Sequence, residues 1–142
     1  ESEAAGAIRP GTAAVLAAAR CKVPWASVVI RKNFGVAGAA HYSSDAYVLA
    51  WPSAELGPLP VEGGVAVAFG REIAQAEDPN ARRAELEDEL ARRQSPFPRA
   101  ESLAFHELID PRETRPMLCQ WLELNSERLK GLVGPSTFTM LP

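Results

Sequence analysis

Punctuation constrains this chain more than any other feature. Twelve prolines and ten glycines are spread through 142 residues. Proline removes a backbone donor and fixes φ, while glycine loosens the chain. From Pro24 to Pro60 the punctuation recurs at Gly35, Gly38, Pro52, Gly57 and Pro58. A long helical bundle is excluded there. The pattern predicts short elements joined by stiff turns, in a chain of the length of one domain.

Between the stops, the periodicity changes character. Pro10 stands where a helix begins, and residues 12–20 are nearly all Ala, Val and Leu. Alanine is the best helix former, and a helix apolar on almost every side is a buried one. Pro24 ends it, because a pre-proline residue avoids the helical region. Residues 25–30 are rich in β-branched side chains and predict a buried strand, and 46–51 predict a second. Between the two strands, residues 34–40 are small and glycine-rich and predict a turn opening a helix. Residues 56–60 contain Gly57, Pro58 and Pro60 and predict a loop.

From Val61 the helical period returns. Val61, Val65, Ala68, Phe69, Ile73 and Ala76 define one buried face. Asp78 and Pro79 break that helix and cap the next. The helix over 80–94 is charged and touches the body only through Leu86 and Leu90. Residues 95–98 predict a stiff turn, and 102–109 a short helix and then a strand. Asp110 and Pro111 open a last helix lined by Leu118, Trp121 and Leu122. Residues 1–130 form the folded portion, and 131–142 read as a loosely held tail.

Composition narrows the function classes. Apolar residues at 46% and charged residues at 23% are ordinary globular usage, which excludes wholesale disorder. Fifteen Lys and Arg against 18 Asp and Glu give a net charge of −3, which argues against a nucleic-acid partner. No apolar run reaches the ~20 residues of a membrane span. Glu1, Ser2 and Glu3 lack the basic start of a secretory signal. A cytoplasmic protein with no membrane partner is expected. The first residue is not Met, which suggests an edge cut within a longer chain. Cys21 and Cys119 are too few for a disulfide scaffold and read as two buried free thiols.

Side-chain chemistry is sparse. His41 and His106 are the only histidines, and neither sits at a metal-ligand spacing, so no metal is expected. His41, Ser43, Ser44 and Asp45 are contiguous, whereas working triads are assembled from distant segments. Gly35, Val36, Ala37 and Gly38 match neither phosphate-binding glycine pattern. Two readings of that turn stay open. It is either a tight packing turn or a tip whose backbone amides stabilise an oxyanion.

Six blocks in series over about residues 6–122 resemble the biotin-dependent acyl-CoA carboxyltransferases, the β subunits of the propionyl-CoA and acetyl-CoA carboxylase kind. Residues 28–35 resemble that family's strand, Arg-Lys, small, aromatic, Gly signature. Residues 6–11 resemble its G-I-I-R-H-G-A entry, and 51–55 its W-P-T-A-E. Residues 61–65 resemble x-E-G-A-V, 95–97 resemble N-P-Y, and 110–115 resemble I-D-P-x-x-T-R.

The resemblance implies an α/β fold of the crotonase-like kind, a β-β-α superhelix. Only the later part of the family's C-terminal half is matched. The length then reads as about half of such a domain, cut from a longer chain that is not active as this piece alone. The resemblance further implies carboxyl transfer from carboxybiotin to a short acyl-CoA. The amides of Val36 and Ala37 would hold the biotin carbonyl oxyanion. Phe34, Gly35, Gly38 and Ala39 would shape the biotin and substrate side of the turn. Biotin would arrive on a carrier or biotin carboxylase partner, and a coenzyme A thioester would be the substrate. Self-association as a dimer or trimer of dimers is also implied. The chain departs from the family at Val36 and Leu103, where Gly is common, and at Pro58 and Pro60. Those departures carry the alternative reading, a non-catalytic crotonase-like scaffold or assembly module.

Overall fold

The computed structural model describes residues 6–42 and 45–134. The chain opens with α1 (Ile8–Arg20). Two strands and a helix then follow twice. β1 (Ala26–Val29), β2 (Lys32–Phe34) and α2 (Gly35–Ala39) form the first unit. β3 (Tyr47–Ala50), β4 (Glu55–Gly57) and α3 (Val61–Gln75) form the second. α4 (Pro79–Gln94) and α5 (Pro96–Glu101) precede β5 (Glu107–Leu108). A 3-10 turn at Pro111–Glu113 leads into α6 (Thr114–Leu124) and α7 (Ser126–Lys130).

The units stack in parallel. The first strands make one sheet in the order β1-β3-β5, and the second strands make another, β2-β4. Val28 lies opposite Leu49, and Phe34 opposite Gly57. Each unit thus sends one strand to each sheet and returns by a helix. This is the β-β-α superhelix that the resemblance implied.

Two cores hold the units. Val29, Val48, Ala50, Leu56 and Phe105 close the space between the sheets, with Trp25 and Tyr42 packed at its margin. Leu49 is wholly buried, and burial of such a side chain stabilises by about 1.5–3 kcal/mol. Val65, Ile73 and Leu86 form the second core, where α3 meets α4 with Phe69 and Leu90 beside it. α4 makes the expected narrow contact through Leu86 and Leu90, and a further one that was not expected, through buried Gln94 at its end. Asp78 caps α4 by accepting from the amides of Asn80 and Ala81, both at 3.0 Å.

Several expectations are corrected. Leu56 and Gly57, read as loop, belong to β4; three residues are too few to carry a period of two, and pairing with β2 supplies the order. Pro96 and Pro98, read as a turn, lie in α5, because proline is as compatible with a first helical turn as with a loop. Residues 102–106 form turns rather than a helix before β5. α1 buries only Ala18 among the described residues, because α2 covers a single face of it. Ala68 is exposed on α3, leaving Val61, Val65, Phe69 and Ile73 as its inner face. Cys21 is half-buried and Cys119 exposed, the latter on a helix with no buried residue among those described. Residues 135–142 of the expected tail lie outside the described residues.

Candidate functional site

The six residues singled out from the sequence share one turn. β2 delivers Phe34 in an extended conformation (φ −124°, ψ 143°), half-buried. Gly35 follows at φ +58°, in the left-handed region open mainly to glycine. α2 begins there. The first N–H groups of a helix have no acceptor within it, and no side chain caps this one. Val36, Ala37 and Ala39 are exposed, and Gly38 is buried.

Two contacts fix the turn from below. Asn33 donates from Nδ2 to the Tyr42 hydroxyl, spanning α2. Its Oδ1 occupies the place that a Cβ on Gly38 would need. Burial pushes the Tyr42 hydroxyl above its ordinary pKa, opposed by the Asn33 bond. From the side, α1 packs on α2. A Cβ on Gly11 would lie 3.3 Å from Val36 Cγ1, so the added bulk of Val36 rests in the notch at Gly11.

A groove of about 450 Å³ runs along β1, the edge strand of its sheet. Residues 25–33 line it, with His41 and Tyr42 opposite. Arg31 and Lys32 are exposed among the residues that line it, and Lys32 opens the strand that ends at the α2 turn. The uncapped N–H groups at the start of α2 favour negative charge at that place. Val36 and Ala37 stand outside the groove lining, beyond its Asn33 end.

Other candidates from the sequence find structural places. His106 accepts the Val48 amide on Nδ1 at 3.0 Å and tilts against the Tyr47 ring, which fastens β5 to β3. His41 is exposed, and its carbonyl accepts from Ser27 Oγ at 2.6 Å. Ser43 and Ser44 lie outside the described residues. Among the described residues, no group of three His, Cys, Asp or Glu could hold a metal ion. No helix among them is long and apolar enough to cross a membrane.

Sequence reasoning missed Asn33, Tyr42 and Gln94. Asn33 carried a faint signal, being a polar residue in the small position of the Arg-Lys motif. Gln94 carried another, as an uncharged residue closing a charged helix. Tyr42 carried none.

Parallel β-β-α units with an amide-lined turn after β2 define a crotonase-like half-fold. The chain belongs to the carboxyl transferase domain family, whose model matches residues 1–135. It is 35% identical over 128 residues to the methylmalonyl-CoA carboxyltransferase 12S subunit of Propionibacterium freudenreichii subsp. shermanii, covering 87% of this chain and 24% of that protein. It is 33% identical over 127 residues to the mitochondrial propionyl-CoA carboxylase beta chain of Rattus norvegicus, covering 86% and 22%. The transcarboxylase 12S crystal structure, a hexamer solved with methylmalonyl-coenzyme A and methylmalonic acid bound, superimposes with a TM-score of 0.81 at 30% identity. That match covers 99% of this chain and 27% of that one. The β subunit of P. aeruginosa geranyl-CoA carboxylase shares the fold, with a TM-score of 0.80 at 21% identity over 99% of this chain and 28% of that one. The chain spans about a quarter of the length of the curated relatives it matches.

Proposed function

We propose that this chain is the biotin-side portion of an acyl-CoA carboxyltransferase, acting within a longer protein. The reaction moves a carboxyl group from carboxybiotin to a short acyl-CoA. The observation that carries the reading is the turn at Gly35. Its left-handed backbone starts α2 at the end of β2 and leaves the Val36 and Ala37 amides uncapped, in a chain of the carboxyl transferase family.

The turn fits a ureido carbonyl. Gly35 and Ala37 add no more than a methyl group at the turn, and Val36 Cγ1 rests against Gly11. When bound, biotin supplies an activated carboxyl group. This chain's part is electrostatic. Val36 N–H and Ala37 N–H hold the carbonyl oxygen as it gains negative charge. Phe34 and Gly38 fix the turn from inside, and Ala39 borders the acyl side.

The acyl-CoA thioester, a biotin carrier or biotin carboxylase partner and assembly as a dimer or trimer of dimers all belong to this reading. So does a cytoplasmic location. The relatives named for propionyl-CoA and methylmalonyl-CoA support the acyl-CoA substrate, and the hexamer of transcarboxylase 12S supports the self-association.

The test is carboxyl transfer by the complete protein with its biotinylated partner, using acetyl-CoA, propionyl-CoA and a branched acyl-CoA. Labelled carboxyl should appear on at least one of them. No transfer to any, from folded protein, overturns the reading. The same 142 residues alone should not turn over.

A further inference from the structure

We infer that Gln94 is a positioning residue for the amide turn, acting through the Pro58–Leu59–Pro60 segment; this rests on the carboxyltransferase reading and deepens it. Gln94 closes α4, 59 positions beyond Gly35 in sequence, and its side chain lies against Gly57 and Leu59, on either side of the Pro58 carbonyl that meets Gly35. It is 2% exposed and donates from Nε2 to the Leu59 carbonyl at 2.8 Å. The carboxamide presses on β4, since a Cβ on Gly57 would lie 3.0 Å from Nε2.

The next link runs from the loop to the turn. Phe34 and Gly57 are register partners at the ends of β2 and β4. Just beyond them the Pro58 carbonyl backs onto Gly35. A Cβ there would stand 3.1 Å from that oxygen. Gly35 is the residue whose φ of +58° aims the following amides. Leu59 is flanked by two prolines, so the segment has little freedom of its own. Fixing the Leu59 carbonyl fixes its neighbour Pro58. That in turn fixes the floor under Gly35.

The amide group of Gln94 is not there to fill space. Its Oε1 is buried with no hydrogen-bond partner among the described residues. A buried acceptor left unmade is a cost that a methionine of similar reach would avoid. The group is accounted for by its other half, the Nε2–H that holds Leu59. The same chain of contacts gives Pro58 and Pro60 a use. They stiffen the strut between Gln94 and the turn, where the family commonly has glycine.

The experiment compares Gln94→Met with the parent in the complete protein. Methionine keeps the volume and removes the donor. Hydrogen–deuterium exchange should rise about fivefold in peptides spanning residues 35–37, with α3 and α4 unchanged. kcat for carboxyl transfer should fall about tenfold with KM for the acyl-CoA within about twofold, because a misplaced amide loses transition-state rather than substrate binding. Unchanged exchange at 35–37, or a KM effect alone, overturns the assignment. Should Q94M not fold, Gly57→Ala pushes the same carboxamide from the other side and must reproduce both effects or overturn it. If the parent protein transfers no carboxyl group, the functional reading falls, and the exchange measurement still decides whether Gln94 holds the turn.

Discussion

Asn33 does two things with one carboxamide. It fills the space left by the missing Cβ of Gly38 and bonds Tyr42 across α2. A methyl group at position 38 cannot coexist with that arrangement. Gly38→Ala should therefore cost about 1–3 kcal/mol, despite alanine's better helix propensity. Chemical denaturation would measure the loss. Adding Asn33→Ala should return part of it, because the two residues share one volume and their effects are not additive. Equal losses in the single and double variants would contradict that account. Leu103 belongs to the same scale. It adopts φ 56°, the left-handed conformation expected where the family commonly has glycine. Holding a branched side chain there costs about 1–2 kcal/mol.

Helices were legible in proportion to their local signals. α3 and α4 announce themselves by periodicity and by the Asp78–Pro79 pair, and both are found where expected. Asp78→Ala should lower stability by about 1 kcal/mol, the usual worth of an N-cap accepting two amides. Thermal denaturation would register the drop, and Asp78→Asn should restore most of it. β4 and α5 were not legible, for different reasons. β4 exists because β2 lies beside it, and that pairing spans 23 positions, from Lys32 to Glu55. α5 starts on a proline that the sequence alone cannot divide between turn and helix. The site shows the same division. The turn at residues 34–39 was readable from small residues after a strand. Its supports, Tyr42 and Gln94, reach it only through the fold.

Contacts between distant parts of the chain decide how it stands as a whole. Arg128 of α7 reaches back to Asp45 at 2.6 Å, and Tyr47 on β3 bonds Glu107 on β5. Burial pushes the Tyr47 hydroxyl up to about 12, helped by its bond to Glu107 and by the charge of that carboxylate. An unfolded tyrosine titrates near ~10, so the folded state holds this proton more tightly. The resulting stabilisation is complete below pH ~10 and is lost as pH rises towards about 12. The stability difference between the parent and Tyr47→Phe should therefore shrink across that interval, as followed by urea unfolding at stepped pH. A difference independent of pH there would rule the linkage out.

The stacking of strands in parallel has a kinetic consequence. Neither sheet contains a hairpin; Ala26 meets Tyr47, Lys32 meets Glu55, and Leu49 meets Glu107. Each of those pairings must close a long loop before its first ladder bond gives any return. α3 and α4, joined through residues 76–78, associate over a short span. Such a topology belongs among slow folders. The amide turn sits at the end of β2, whose sheet partner β4 arrives 23 positions later, so the turn is not backed until that non-local pairing has closed.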